Sequence, residues 1–456
     1  MKNYDVIIIG AGPAGVFCAI SLKEKNLKLK IAIIEKGKPL IKLVQSGGGR
    51  CNLSNKKAKA KSCIPYYPRG SRFISHLFYQ YDVESFCKWL SQNKIDVKIE
   101  QEEKIFLKSD DSKQLETVFM QKLRNYNIDL IKGEFIDFKI NLKNDSIDEN
   151  RFEVVLKENV KGNFGKESEE KIEKQSFYSN FLVISSGSNR EVLKKIESKG
   201  IITHDFIPSL YGFKIKEIEE AKLAGITLKD ISVYLEPQSK DEKGNINIEV
   251  NNGDEIRKMK KRKSQKVNGD LLFTHEGLSG PAILKLSSYY AIDLYNSNFK
   301  GILHIDFYPN KTFEELEKEM LDKCHKGAKI IKNIYNEMYI AENLWGFLLE
   351  KVEICKDILA NQIKKEQIKR LIKILKDFKV EVNDKSMNKE EFVSAGGIDL
   401  DEIDKQCKSK KIDRLYFIGE ILNIDGITGG YNLQSCWTTS YVCADSIAKL
   451  SCQNPK

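Results

Sequence analysis

No stretch of the 456-residue sequence holds eighteen uninterrupted apolar residues, so no segment reads as a membrane-spanning helix. The ten cysteines include no CxxC pair and no framework spacing, which excludes a disulfide scaffold and points to reduced thiols. Five dispersed histidines form no ligand cluster, so no metal site is expected. The opening MKNYDVIIIG has neither a basic region nor a cleavage site and is not read as a secretory leader; the expected location is cytoplasmic. Nor does one sign of charge dominate. The net +10 comes from 75 Lys and Arg against 65 Asp and Glu, with the excess lysine dispersed as on a solvated surface. The length implies at least two domains.

Asp5 to Ile9 (DVIII) is an apolar, β-branched run, the composition of a parallel strand buried on both faces. GAGPAG follows at once, from Gly10 to Gly15, and then VFCAISLKEK at helical spacing. Strand, glycine turn and helix in this order give the context of a dinucleotide fingerprint. Gly10 permits the tight turn, Gly12 lets a pyrophosphate approach the backbone, and Gly15 allows helix to pack on strand. Pro13 and Ala14 lie in the turn ahead of the helix, whose N-terminal N–H groups face the phosphates. A second strand, Lys30 to Ile34, ends at Glu35, where an acid is expected to accept hydrogen bonds from ribose; Lys36 adjoins it.

The cofactor type is decided further along. An NAD domain would continue into another βα unit, whereas Gly37 to Asn55 reads as an irregular loop containing SGGGRCNLSN. Such a loop lies along an extended FAD, with Gly47 and Gly48 close to its backbone and Arg50 offering charge-assisted contacts. Cys51 has two readings, packing beside Asn52 or redox chemistry at the flavin, although the next cysteine is twelve residues on, at Cys63. At the other end, the strand Leu415 to Ile418 runs into Gly419 and Glu420, an acid placed to hold a ribitol hydroxyl. Asp425 lies in the loop beyond. Gly429, Gly430 and Tyr431 precede a segment of helical spacing from Asn432 and Leu433 onward, whose N-terminus would stabilise negative charge on the flavin pyrimidine.

Four motifs in one order, SGGGRCNLSN, LLFTHEGLSGPAIL (Leu271 to Leu284), AGGIDLDEID (Ala395 to Asp404) and YFIGEILNIDGITGGYNLQ (Tyr416 to Gln434), resemble the BaiN-like bacterial flavoproteins. That family is also known as NAD(P)/FAD-dependent oxidoreductases or aminoacetone oxidase family FAD-binding enzymes. The resemblance spans nearly the whole chain. It implies an α/β fold: a two-segment Rossmann-like FAD-binding domain of the glutathione-reductase type with an inserted β-rich lobe and a helical subdomain. One departure stands out. The family's alanine-threonine-glycine-glycine motif is replaced by Ser185 to Ser188, and the loop after it is shortened, although Gly187 still admits a cofactor backbone.

The segments are read as a first FAD segment over 1–200, a β-rich, barrel-like insertion over 201–311, a helical subdomain over 312–380 and a second FAD segment over 381–456. Gly133 to Leu156 and Ser176 to Ser186 read as hairpin material returning to a buried strand, with a tip over Lys157 to Lys174. ISVYL, INIEV, LLFT and GILHIDF read as antiparallel strands. RKMKKRK, Arg257 to Lys263, is read as an exposed hairpin loop more than as a phosphate contact, so nucleic acid is not the expected partner. His275, in FTHEGLSGP, is a candidate proton relay or a residue fixing its turn.

The sequence therefore predicts a flavoenzyme passing a hydride or two electrons between noncovalent FAD and a small-molecule substrate, with NADH or NADPH as transient reductant or oxygen as acceptor. RNA modification and a non-enzymatic flavin sensor are the rival readings. Oligomeric state is left open.

Overall fold

A computed structural model of the chain describes residues 2–141, 151–158, 173–238, 265–326, 329–386 and 393–453. The basic run at 257–263, the strand expected at 246–250 and most of the hairpin tip expected between 157 and 174 lie outside these residues. The chain forms two compact units, Met1–Phe206 with Ser394–Lys456, and Ile207–Val393.

The discontinuous unit is built on a sheet whose centre is parallel. Strand β1 (Lys2–Ile9) lies between β2 (Ile31–Glu35) and the long strand Glu173–Ile184, with Asp129–Lys132 beyond β2. Val6, Ile7 and Ile8 are fully buried in succession, which is why β1 reads as a continuous apolar run and not as an alternation. The strand Glu173–Ile184 serves two partners. Its first part pairs antiparallel with Phe152–Glu158, and its last three residues pair parallel with Leu415–Phe417. Helix α1 (Pro13–Lys25) packs against the C-terminal helix Tyr431–Gln453, where the Ser440 hydroxyl donates to the Ala14 carbonyl at 2.7 Å. Beside that contact Phe17 meets Trp437 edge-on at 5.5 Å, and Phe86 stacks on Trp437 at 4.7 Å.

The segment from Gly37 to Asn55 is more ordered than its sequence predicts. It contains a five-residue helix α2 (Ile41–Gln45), a 3-10 turn at Ser46–Gly49 and strand β3 (Asn52–Asn55). Buried Leu40 and Leu43 anchor α2, a helix too short for apolar periodicity to register.

The inserted unit is an antiparallel sheet with helices. Thr227–Pro237 is central, flanked by Val267–Phe273 and Gly301–Asp306. The two edge strands of the sheet, Phe378–Val382 and Asp384–Lys385, are separated in sequence by Asn383 alone, so the sheet curls back on itself. Three helices come after the strand Gly301–Asp306. They are Phe313–His325, entered through a Thr312–Glu315 capping box, Glu342–Lys351 and Lys365–Lys376. Trp345 fills their core and donates its indole N–H to the Ile331 carbonyl at 2.9 Å. Among the described residues no helix is long and apolar enough to cross a membrane, and no cluster of potential metal ligands occurs.

Candidate functional site

Register assembles the site. Ile9 pairs with both Ile34 and Ile184, and Ile184 pairs with Phe417, so four parallel strands end at one level. The turns leaving these strands therefore meet at the carboxyl edge of the sheet, where open α/β sheets bind ligands. Gly10, Glu35, Ser185 to Gly187, and Gly419 with Glu420 all arrive there.

Two of the three fingerprint glycines are explained by the protein's own packing. A Cβ at Gly15 would lie 2.0 Å from the Gly10 carbonyl oxygen, and one at Gly10 (φ 102°) would lie 2.6 Å from the Ser185 carbonyl oxygen. Gly12 is different. Its φ of −74° and ψ of −178° suit any residue, and an added Cβ would meet nothing within 4 Å. Glycine there serves neither backbone nor packing, which leaves space in front of the uncapped N-terminus of α1, opened by Pro13 and Ala14. The Glu35 carboxylate accepts from the N–H groups of Ala11 and Gly37, each at 2.7 Å, and keeps lone pairs for further donors. Lys36 lies 3.7 Å from Glu134. Both Glu35 and Lys36 line a small cleft with Gly10, Gly133 and Ser186. The buried Ser186 hydroxyl has no hydrogen-bond partner among the described residues.

In the opening loop Gly47, Gly48 and Gly49 have φ of 59°, 68° and 86°, a succession of left-handed residues that favours glycine at each place. A Cβ at Gly47 would press on the Asn52 nitrogen at 2.9 Å, whereas Gly48 and Gly49 again face open space. Arg50 lies over Phe106 at 4.5 Å and binds Asp110 at 2.7 Å and Glu100, so its guanidinium is engaged by two protein carboxylates. Cys51 is fully buried, and burial pushes its thiol up to about 12 against a weaker opposing hydrogen bond from Ser46. It stays protonated at neutral pH. With its amide turned to satisfy both groups, Asn52 accepts from the Gly430 N–H and donates to the Ser54 carbonyl.

The C-terminal segment closes against this loop. Gly419 (φ 72°) passes so near α1 that a Cβ would lie 2.7 Å from that of Ala14. Glu420 accepts from the Ser394 N–H at 3.2 Å and from Lys42 at 3.1 Å, next to Gly187. Asp425 is fully buried and its carboxylate binds Arg69 through two hydrogen bonds. Gly430 lies against β3, where a Cβ would meet the Ser54 carbonyl oxygen at 2.3 Å. Tyr431, Asn432 and Leu433 form the first turn of the terminal helix. The Tyr431 carbonyl accepts from Tyr67 at 2.7 Å, the Asn432 amide bonds Gly426 N–H and C=O at 2.8 Å each, and Leu433 is half-buried.

Lys42, Tyr67, Arg69 and the buried Ser54–Gln434 hydrogen bond of 2.6 Å are site elements that sequence reasoning missed. Of these, Ser54 and Gln434 carried a signal, their places inside SGGGRCNLSN and YFIGEILNIDGITGGYNLQ. His275 belongs to the inserted unit, where it is exposed in a turn closed by the Thr274 N–H on the Gly277 carbonyl at 2.8 Å. The glycines beside it have steric reasons, because a Cβ at Gly277 would meet the Phe213 carbonyl oxygen at 2.3 Å and one at Gly280 the Asp270 carbonyl oxygen at 2.8 Å.

The open space at Gly12, Gly48 and Gly49, the unpartnered Ser186 hydroxyl and the acids Glu35 and Glu420 fit an extended dinucleotide laid across the strand ends. A "Ribosomal RNA dihydrouridine synthase" of Haemophilus influenzae is 24% identical, over 98% of this chain and 100% of that one. A "3-dehydro-bile acid delta(4,6)-reductase" of Clostridium scindens is 25% identical, over 97% of this chain and 98% of its own. Among solved structures, a 3-ketosteroid delta1-dehydrogenase from Sterolibacterium denitrificans aligns with 99% of this chain and 100% of that one, at 10% identity and a TM-score of 0.48. The model of the family described as HI0933-like protein Rossmann domain matches residues 4–446, and the chain belongs to that family.

Proposed function

We propose that this FAD-dependent oxidoreductase saturates a carbon–carbon double bond conjugated to a carbonyl group. The observation that carries the reading is that two relatives matched over their whole length have names that differ in substrate and agree in bond type. Dihydrouridine is uridine saturated at a ring double bond conjugated to a carbonyl, and a delta(4,6)-reductase of a 3-dehydro compound acts on double bonds conjugated to a ketone. Bound FAD supplies the two-electron carrier, with hydride passing at its N5 position.

The discontinuous unit, Met1–Phe206 with Ser394–Lys456, holds the cofactor, so its second segment begins later than the residue 381 read from the sequence. Glu35 accepts from ribose hydroxyls, and the N-terminus of α1 faces the pyrophosphate across the space that Gly12 leaves. Gly187 and Glu420 take the ribityl chain, and Gly47 to Asn52 lie along the pyrophosphate and flavin edge. The first turn of the terminal helix, from Gly430 to Leu433, places a positive dipole end at the pyrimidine, where it stabilises charge gained on reduction. Cys51 packs this loop as a neutral thiol, and His275 is exposed in its turn. NADH or NADPH visits as donor without a second nucleotide domain. The ten cysteines, free wherever described, suit a reducing cytoplasm.

The test is anaerobic. The FAD-loaded protein, reduced with NADH or NADPH, is mixed with a conjugated enone, a saturated ketone or a uridine-containing ribosomal RNA fragment while flavin absorbance is followed. Reoxidation by the enone or the RNA, and not by the ketone, is expected, and the responding arm identifies the substrate class. A flavin that stays reduced with all three and is reoxidised only when air is then admitted overturns the reading in favour of an oxidase.

A further inference from the structure

The inserted unit carries a concavity of its own, a cleft of about 460 Å³ formed entirely by its residues. Leu228, Ile231, Phe307, Met338 and Ile340 give it an apolar lining. Two irregularities of the backbone shape its rim. Along the strand Thr227–Pro237, Leu228 pairs with Leu271 and Ile231 with Gly269, so Lys229 and Asp230 stand opposite the single residue Asp270. This bulge throws both side chains out to solvent at the rim, with Asp230 at φ 53°.

The second irregularity is Tyr339. After the 3-10 helix Ile331–Asn336, the Ile340 N–H reaches the Tyr335 carbonyl and the Tyr339 N–H the Asn336 carbonyl, the paired bonds of a Schellman stop. The residue between them takes the left-handed conformation, normally a glycine's place, and here Tyr339 holds it at φ 54°. Its ring is 90% exposed at the edge of the cleft. Stops of the same kind elsewhere in the chain hold Lys94, Asn127, Asn298 and Glu353, so what sets Tyr339 apart is its exposed ring at the edge of the cleft.

We infer that the cleft binds a nucleobase-type ring, stacked on Tyr339 and hydrogen-bonded along its edge by the rim. The rim chooses the class. Lys229 and Asp230 carry opposite charges, so a simple anion or cation meets a like charge, and a purely apolar guest leaves both unsatisfied. Lys311 is held back against Glu319, which it shares with Lys323. A heteroaromatic ring has apolar faces for Tyr339 and the cleft, and an edge of donors and acceptors for Lys229, Asp230 and the exposed Asn310 amide. The same chemistry is presented by a free nucleoside or by an unpaired base in an RNA chain. The inference holds whichever bond the flavin reduces.

The FAD-loaded full chain would be tested with uridine and adenosine by equilibrium dialysis, and with fluorescein-labelled oligouridylate by anisotropy. Saturable binding of the nucleosides would indicate the free ligand, and binding of the oligonucleotide alone the RNA source. In either arm Tyr339→Gly is expected to weaken binding about tenfold, as loss of one stacking platform does. Tyr339→Phe, which keeps the ring, should restore it. Because Tyr339→Gly also relieves the left-handed backbone, the variant should fold and retain flavin, so lost binding reports the ring. Equal binding by wild type and Tyr339→Gly, or no saturable binding by any of these probes, overturns the proposal.

Discussion

Gly12 in the discontinuous unit and Gly277 in the inserted unit both sit in glycine-rich turns between a strand and a helix, but their surroundings are opposite. An added Cβ at Gly12 meets nothing within 4 Å, whereas at Gly277 it strikes a carbonyl oxygen at 2.3 Å. The second glycine is required by the fold, since φ of 151° and a backbone neighbour leave no room for a side chain. The first is required by nothing among the described residues, and the proposed FAD site uses the space it leaves. This contrast separates the GAGPAG turn from the equally suggestive FTHEGLSGP segment better than glycine content does.

The largest effects should show that the two units have separate cores. Trp437→Ala in one and Trp345→Ala in the other should each cost about 3–5 kcal/mol. Flavin release should accompany only the transition lowered by Trp437→Ala in urea unfolding followed by flavin fluorescence. A single transition lowered equally by both would merge the units. Next come the glycines. Gly277→Val should lose about 3 kcal/mol with flavin affinity intact, while Gly12→Val should lower FAD affinity about 100-fold with little change in apoprotein stability. Reversal of that pattern would defeat the contrast.

Arg69→Met strips a buried carboxylate of its partner and should cost about 3 kcal/mol, part of it recovered in Arg69→Met/Asp425→Leu because the uncompensated charge is then gone. Glu35→Ala should weaken FAD retention about tenfold, roughly the worth of one hydrogen bond to a charged group; unchanged occupancy after gel filtration removes the ribose assignment.

The smallest effect is on pH. Burial raises the Cys51 and Cys436 thiols from about 9 to about 12, so the folded state prefers them protonated. Their contribution is complete below pH 9 and falls as pH rises from 9 towards 12. The urea midpoint should decline across that window, less steeply in Cys51→Ala/Cys436→Ala.

The β1–turn–α1–β2 unit was legible because each step is local: an apolar run, a glycine turn, helical spacing and an acid at a fixed distance. The terminal helix was readable for the same reason, whereas the edge strands Phe378–Val382 and Asp384–Lys385 of the inserted sheet were not, because they are paired with strands far away in sequence. The pairing of charges was not. Arg50 reads as a cofactor cation, yet it meets Glu100 and Asp110, fifty and sixty residues away, and the Asp425 carboxylate is taken by Arg69 across 356 residues. Tyr339 reads as an ordinary tyrosine until the backbone places it in a glycine's slot.

By itself the sequence determined the α/β class, the dinucleotide turn and the two chain ends that frame one domain, because hydrophobic pattern and glycine placement act over short distances. Only the tertiary structure decided which glycines face empty space, which charges are already paired and which thiol stays neutral. Those depend on groups brought together by strand register and helix packing, and distance in space is not written in distance along the chain.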